Sequence, residues 1–206
     1  MLALIDYGSG NLRSAHKALV VAGCHDVEVT ADPDVIARAD RIVLPGVGAF
    51  ADCIANLSAR DGLRDALEQR VRKDSVPFLG ICVGMQLMAD VGIEFGETQG
   101  LGWIAGTTTV LRPGDPSLKV PHMGWNTATP TGVSPAFDVW QAPQDVYFVH
   151  SFAYRPLQDN DVAAWCTYGD DCFAAAVCKD NMVGLQFHPE KSQRAGLMLL
   201  ESWLKL

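Results

Sequence analysis

The sequence predicts an α/β fold with a mostly parallel central sheet, helices on both of its faces and extra antiparallel strands in the second half. In the first half, short apolar runs typical of buried strands alternate with helical patterns. From about residue 104 onward, one strand-like segment follows another. The chain has 206 residues, of which 49% are hydrophobic and 19% charged, a balance typical of a globular protein with one core. We therefore expect residues 1–206 to form a single domain.

Four strands are predicted in the first half: LALID (2–6), DVEVT (26–30), RIVLP (41–45) and VPFLGI (76–81). The first helix is predicted to begin after Asn11, whose side chain suits an N-cap, and to end near Ala22 because Gly23 follows. Helical patterns also cover about 63–72 and begin again at Val83. Short turns between these strands and helices indicate a parallel sheet.

Five strands are predicted in the second half: WIAGTTTVLR (103–112), DVYFVHSFAY (145–154), VAAWCTY (162–168), FAAAVCKD (173–180) and MVGLQFHPE (182–190). Proline and glycine are frequent between 112 and 135, and this stretch is predicted to form surface loops. The last segment, 192–206, is predicted to be an amphipathic helix with Ser192 as its N-cap.

Composition and charge limit the class of protein. The net charge of −8 and the scattered basic residues argue against nucleic acid or an acidic membrane as a partner. MLALIDYGSG has no features of a signal peptide, and no apolar run is long enough to span a membrane. The six cysteines form no C-x-x-C pair, and a Cys172–Cys178 disulfide fits only an oxidising compartment. We expect a cytoplasmic protein with reduced thiols, no metal and no cofactor.

The motif G-x-C-x-G, formed by Gly80, Cys82 and Gly84, predicts a nucleophile at a sharp strand-to-helix turn. The start of a helix favours a thiolate, and the N–H of Val83 is free there to bind an oxyanion. Gln86, four residues on, shares the helix face of the cysteine. A buried cysteine in a glycine-rich turn would have the same motif, so the motif alone leaves both interpretations open.

His188 and Glu190 are the predicted base and its orienting carboxylate. They follow the apolar strand VGLQF, and Pro189 between them favours extended backbone at His188. In an extended segment both side chains point to the same side, so the carboxylate can hold one ring nitrogen while the other faces a thiol. Alone, the motif also fits a strand end with a chance acid. Together with the cysteine motif it predicts a Cys82–His188–Glu190 triad.

A second glycine-containing segment, LPGVGAF (44–50), follows the buried strand at 41–45. The glycines allow backbone N–H groups of Gly46, Val47 and Gly48 to turn inward and contribute to an oxyanion hole. A simple strand-to-loop turn is the alternative interpretation.

These motifs together resemble the class I (triad) glutamine amidotransferase family. The family motifs are GICVGMQ (80–86), LPGVGAF (44–50) and FHPEKS (187–192). The closer resemblance is to the glutaminase subunits of imidazole glycerol phosphate synthases. It rests on IDYGSGNLRSAHKAL (5–19), PHMGWN (121–126), YFVHSF (147–152) and QFHPEKSQ (186–193), which cover nearly the whole chain. The resemblance implies a three-layer fold of this family.

The resemblance also implies hydrolysis of glutamine to glutamate and ammonia through a thioester on Cys82. His188 would relay the proton, and Glu190 would orient it. The N–H of Val83 would bind the oxyanion, joined after a peptide flip by an N–H of the 46–48 segment. The residues placed to hold glutamine are Gln86, Glu94, Ser151 and Phe152. A carboxylate such as Glu94 suits the α-ammonium group of the substrate.

For a partner, the resemblance implies a (β/α)₈-barrel cyclase that receives ammonia through a tunnel. Together the two would form imidazole glycerol phosphate and aminoimidazole carboxamide ribotide in histidine biosynthesis. The glutaminase fold leaves no stretch for a second catalytic domain, and the chain ends suggest a separate cyclase chain. The residues matched to the interface are Lys191, Met123, Gly124, Trp125 and Asn126, with Asn11 and Tyr147 as weaker matches.

Three alternatives remain. The chain could be a class I glutaminase of another pathway, although IDYGSGNL and PHMGWN weigh against it. It could be a non-catalytic subunit that kept the fold, which the intact Cys, His and Glu set opposes. It could also be a cysteine peptidase or other hydrolase on the same scaffold, although Gln86 and the 44–50 segment favour glutamine. Residues 129–143 have no recognised motif.

Overall fold

The computed structural model describes residues 1–206. Its thirteen strands are β1 (Leu2–Ile5), β2 (Val27–Thr30), β3 (Arg41–Gly46), β4 (Phe78–Cys82), β5 (Val91–Ile93), β6 (Glu97–Gln99), β7 (Gly106–Val110), β8 (His122–Pro130), β9 (Gln144–His150), β10 (Phe152–Pro156), β11 (Val162–Tyr168), β12 (Asp171–Lys179) and β13 (Met182–Leu185). The α-helices are α1 (Leu12–Val21), α2 (Pro33–Ile36), α3 (Phe50–Ser58), α4 (Leu63–Leu67), α5 (Val83–Gln86) and α6 (Gln193–Trp203). A π-helical segment, Glu68–Lys73, continues α4.

Nine strands form one mixed sheet in the order β2-β1-β3-β4-β13-β12-β11-β8-β9. The first five strands are parallel, and the other four continue the sheet with antiparallel pairing. A smaller sheet has the order β10-β7-β5-β6. This architecture agrees with the predicted α/β fold, parallel in its first half and extended by antiparallel strands in its second.

Helices cover the parallel half because its strands are apolar on both faces. Every residue of β1, β4 and β13 is buried. The chain moves from β1 to β2 in one direction along the sheet and from β3 to β4 in the other. Right-handed crossovers therefore place α1 on one face and α3 with α4 on the opposite face. The helix α6 contacts α1 and belongs to its layer. The short helix α2 contacts α4 and belongs to the layer of α3 and α4.

Two predictions about the second half are wrong. The stretch 112–135 is not all loop, because β8 pairs along its length with β9. Its burial alternates, so the pattern of a half-buried strand was hidden among the prolines and glycines. The predicted strand 145–154 is two strands, since the chain leaves the large sheet at Ser151 and continues as β10 in the small one.

Smaller differences concern α6 and the cysteines. Ser192 does precede α6, but its hydroxyl donates to the carbonyl of His188 at 2.7 Å and accepts from the N–H of Tyr147 at 2.9 Å instead of capping the helix. Cys172 and Cys178 are free and lie on the same strand. Six residues of extended chain separate them by about 20 Å, which excludes a disulfide between them. No helix is long and apolar enough to cross a membrane.

Gly84→Ala should destabilise the fold more than Gly23→Ala. An added Cβ at Gly84 would overlap the carbonyl oxygen of Leu44 on the neighbouring strand β3. Gly23 has φ +103° with open space around it, so alanine there costs only about 1–2 kcal/mol of backbone strain. We expect Gly84→Ala to lower the free energy of unfolding in urea by about 3 kcal/mol or more. Equal losses in the two variants would contradict the close packing at this turn.

Candidate active site

Cys82 lies where β4 ends and α5 begins. Its backbone has φ 55° and ψ −113°, a conformation that L-residues rarely adopt and that costs about 1–3 kcal/mol. The side chain is at the carboxyl edge of the parallel sheet, where open α/β sheets bind ligands. The predicted strand-to-helix turn is therefore present, although α5 is a single turn and its dipole is correspondingly small.

Glycine is required around this turn because the backbones of β3, β4 and α5 approach one another closely there. A Cβ at Gly80 would lie 2.7 Å from the carbonyl oxygen of Gly84. A Cβ at Gly46 would lie 2.6 Å from the nitrogen of Gly84 and 2.8 Å from the hydroxyl of Tyr7. Gly46 is paired with Cys82 in the β3–β4 ladder. The 46–48 segment is thus held directly beside the cysteine.

His188 and Glu190 form a buried pair, with Nδ1 of the histidine 2.8 Å from Oε1 of the glutamate and side chains 4% and 3% exposed. The predicted extended backbone is correct for His188 but wrong for Glu190, since Pro189–Lys191 is a 3₁₀ turn. Proline suits the first position of such a turn. The turn still directs the carboxylate to the imidazole, and the bond from Ser192 to the carbonyl of His188 holds it.

The charge state of His188 is set by its neighbours. Burial disfavours the imidazolium, but Cys82 and Glu190 together raise the pKa of His188 to about 10. Nε2 of His188, the nitrogen that does not contact Glu190, is buried and has no hydrogen-bond partner within normal distance. This nitrogen is available for proton exchange with the thiol and with a reacting group.

The surroundings of the thiol include one residue that the sequence analysis missed. Nε2 of Gln186 lies 3.9 Å from Sγ of Cys82, and Gln186 is completely buried. Its Oε1 accepts from Nε2 of Gln86 at 3.0 Å. Gln186 is two residues before His188, so period-two spacing along the strand would have placed it on the same side.

A cavity of about 520 Å³ opens in front of Cys82 and His188. Nine further residues of the predicted site line it: Asn11, Val47, Gly48, Val83, Gln86, Glu94, Ser151, Phe152 and Lys191. Glu190 and Gly46 are not part of this lining. Glu190 lies behind His188, and Gly46 lies beside the strand-to-helix turn at Cys82, which we call the elbow. His150 also lines the cavity and was not predicted.

Glu94 and Val47 have specific partners in the cavity wall. Oε2 of Glu94 accepts from the N–H of Phe50 at 2.8 Å, which uses one carboxylate oxygen at the start of α3 and leaves the other for a ligand. The carbonyl of Val47 accepts from the thiol of Cys53 at 3.5 Å. In this conformation, therefore, the carbonyl of Val47 is directed towards α3.

The predicted interface residues lie mainly on one exposed face. Met123 and Trp125 of β8 are 63% and 49% exposed. The Trp125 and Tyr147 rings meet edge to face at 5.9 Å, and Nζ of Lys191 lies 5.6 Å from the Tyr147 ring centre. Asn126, in contrast, bonds to its own chain, donating to the carbonyl of Thr167 at 2.9 Å. No group of three or more His, Cys, Asp or Glu residues is arranged to hold a metal ion.

Comparison with known proteins gives consistent results. Residues 3–204 match the model of the class-I glutamine amidotransferase family. A crystal structure of a glutamine amidotransferase superposes with a TM-score of 0.75 at 17% identity, covering 98% of this chain and 97% of that one. PurLQS from Thermotoga maritima gives 0.74 at 20% identity, covering 99% and 97%. At these identities the structures show the shared fold alone.

Two curated relatives are much more similar in sequence. The imidazole glycerol phosphate synthase subunit HisH of Caulobacter vibrioides is 52% identical, covering 99% of this chain and 97% of that protein. HisH of Zymomonas mobilis is 51% identical, covering 98% and 94%. Half of all positions are therefore shared over almost the full length of both proteins. The chain belongs to the class-I glutamine amidotransferases and, within them, to the HisH family.

Proposed function

We propose that this chain is the glutaminase subunit of an imidazole glycerol phosphate synthase. Residues 1–206 act as one glutamine amidotransferase domain that hydrolyses glutamine to glutamate and ammonia. A (β/α)₈-barrel cyclase uses the ammonia to form imidazole glycerol phosphate and aminoimidazole carboxamide ribotide in histidine biosynthesis. The buried His188–Glu190 pair beside the strained Cys82 elbow carries the proposal for the chemistry. The identity with HisH proteins carries the choice of pathway.

In the proposed mechanism, Sγ of Cys82 attacks the side-chain carbonyl carbon of glutamine and His188 holds the thiol proton. The C–N bond breaks as Nε2 of His188 gives that proton to the leaving ammonia, and a γ-glutamyl thioester remains on Cys82. Water, deprotonated by His188, then attacks the thioester and releases glutamate. The carboxylate of Glu190 keeps the imidazole oriented and stabilises its charged form. None of these steps uses a metal or a cofactor.

The negative oxygen of the tetrahedral intermediate needs two donors. The N–H of Val83 is one, because the first N–H groups of a helix have no partner within the helix. The second is an N–H of the 46–48 segment. The carbonyl of Val47 is bound only by a thiol at 3.5 Å, a weak interaction that a peptide flip would break at low cost. The positive φ of Gly48, +103°, is compatible with such a rearrangement.

Glutamine is held by the polar groups around the cavity. Gln86, Glu94, Ser151 and Phe152 all line it, and the amide of Gln86 is bonded to the carbonyl of Phe152. The free oxygen of Glu94 binds the α-ammonium group. The fixed amide of Gln86 and the backbone at 151–152 position the rest of the substrate.

The cyclase docks on the exposed face formed by Met123, Trp125, Tyr147 and Lys191. The aromatic pair and methionine supply apolar contact, and Lys191 supplies a charge next to the cavity. Asn11, which lines the cavity, and Asn126, which follows Trp125 on β8, are also proposed to contact the cyclase. The complex of the two chains is a cytoplasmic heterodimer that contacts neither nucleic acid nor a membrane.

Cys82→Ala should abolish glutamine hydrolysis while leaving ammonia use intact. Without a nucleophile no thioester forms, so the rate of glutamate release should fall by about 10⁴-fold or more. Synthesis from added ammonia by the complex should continue, because only the supply of ammonia is lost. Cys172→Ala, at an exposed thiol, is the matched control and should behave as the wild type. Wild-type glutaminase activity in Cys82→Ala would refute the proposed mechanism.

Glu190→Gln should lower the activity and move its alkaline limit. The raised pKa of His188 means that the imidazolium is present below about pH 10 and is lost as the pH rises through that value. Without the carboxylate this pKa falls, so the alkaline limb of kcat/KM should shift down by about one pH unit or more. We also expect kcat to fall about 100-fold or more.

The control for this measurement is Glu201→Gln, an exposed position on α6. It should leave the pH profile unchanged. An unchanged alkaline limb in Glu190→Gln would show that this carboxylate does not support the charge of His188.

The cyclase with its nucleotide should stimulate glutamine hydrolysis, by about tenfold or more. The stimulation should be lost in Lys191→Glu, which places a negative charge on the docking face, and kept in Lys205→Glu at the exposed chain end. Both variants are compared in steady-state assays with and without the cyclase. Full activity of the chain alone, with no response to the cyclase, would indicate a free-standing glutaminase instead.

A further inference from the structure

Two histidines outside the proposed triad face each other at the wall of the cavity. His122 on β8 and His150 at the end of β9 are directly paired in the ladder. They are 3% and 6% exposed, and Nδ1 of His122 lies 3.0 Å from Nε2 of His150. The His122 ring stacks on Tyr168 at 4.1 Å and on Phe148 at 5.0 Å. Polar rings in such an aromatic cluster are costly to bury unless their nitrogens are bonded.

The hydrogen bonds of the pair run in one direction. Nδ1 of His150 lies 2.9 Å from the carbonyl of Phe152, which can only accept, so this nitrogen carries the hydrogen. Nε2 of His150 is then the acceptor for the Nδ1–H of His122. Nε2 of His122 in turn accepts from the amide of Asn126 at 3.3 Å.

This direction requires both rings to be neutral. Burial lowers the pKa of His122 to about 4 and is also the main cause that lowers the pKa of His150 to about 3. Both imidazoles are therefore uncharged at neutral pH, and each has one donor and one acceptor nitrogen. Every one of the four ring nitrogens has a partner.

These hydrogen bonds continue from His150 to the glutamine cavity. The carbonyl of Phe152 also accepts from Nε2 of Gln86 at 2.9 Å. Gln86 binds Gln186, whose amide lies 3.9 Å from Sγ of Cys82. His150, Phe152 and Gln86 line the cavity, whereas His122 does not. His150 is the cavity-lining residue to which the ring of His122 is hydrogen-bonded.

We infer that His122 is a positioning residue for glutamine binding. Its Nδ1–H holds His150 in the tautomer and orientation that fix the carbonyl of Phe152 and, through it, the amide of Gln86. This inference rests on the proposed glutaminase function. Loss of that N–H frees the His150 ring, loosens the cavity wall and weakens glutamine binding more than it slows the chemistry at Cys82.

Two substitutions of His122 separate this role from packing. In His122→Asn, the amide nitrogen is attached to Cγ as Nδ1 is, so the donor to His150 is kept. In His122→Gln, the amide lies farther out, near the position of Nε2, and the donor to His150 is lost. Glutamine fills the space of an imidazole better than asparagine does, so a packing role predicts the opposite order.

The test measures KM and kcat for glutamine in the complex with the cyclase. We expect the KM of His122→Gln to rise about tenfold, equivalent to about 1.4 kcal/mol, with kcat changed less than threefold. His122→Asn should stay within about threefold of the wild-type KM, and His25→Gln, at an exposed histidine, should match the wild type. A larger KM for His122→Asn than for His122→Gln, or wild-type KM in both, would overturn the inference.

A second readout does not depend on glutamine turnover. Nitrogen-15 spectra of the chain labelled at histidine should show His150 as the neutral Nδ1–H tautomer in the wild type and in His122→Asn. In His122→Gln the ring should show mixed tautomers. A uniform Nδ1–H tautomer in His122→Gln would also overturn the inference. Absence of glutaminase activity in the wild-type complex would instead refute the proposed function, whatever the spectra show.

Discussion

The active site depends on the parallel pairing of β4 with β13. That pairing aligns Ile81 with Leu185, so the nucleophile and the base leave the sheet side by side although they are far apart in the sequence. On the other side of β4, β3 aligns Gly46 with Cys82. A slip of one residue in either ladder would turn the emerging side chains to the opposite face. The register of β4 with its two neighbours therefore determines the geometry of the site.

The electrostatics of the site follow from burial of the His188–Glu190 pair. Nε2 of His188 and Oε2 of Glu190 are buried without a hydrogen-bond partner, which costs stability in the free protein. Such atoms are common where a ligand or a reacting group completes the bonding. At Ser151 the chain passes from β9 in the large sheet to β10 in the small one. This change of sheet brings His150 and Phe152 together at the cavity. The site therefore combines residues from both sheets.

Sequence patterns predicted the fold class, the elbow at Cys82 and the pairing of His188 with Glu190. These features are local, since glycine flanks, strand ends and short spacings are visible in one segment. The patterns failed for β8, whose alternation is masked by proline and glycine, and for Ser151, where two strands are joined without a turn signal. Gln186 and the pair His122–His150 were missed because their roles arise from contacts between segments that pair only in the folded chain. Spacing also misjudged the backbone at Glu190, where Pro189 begins a 3₁₀ turn instead of extending the strand.

The most direct test of the central claim is covalent labelling with a glutamine analogue that carries a diazoketone in place of the side-chain amide. A thiol held beside the bound compound forms a C–S bond to the diazomethyl carbon, its proton goes to that carbon and N₂ leaves. Peptide mass spectrometry of the labelled complex should find a single adduct, on Cys82 and on none of the other five cysteines, and excess glutamine should prevent it. An adduct on another cysteine, or labelling unaffected by glutamine, would contradict the account of Cys82 as the glutaminase nucleophile.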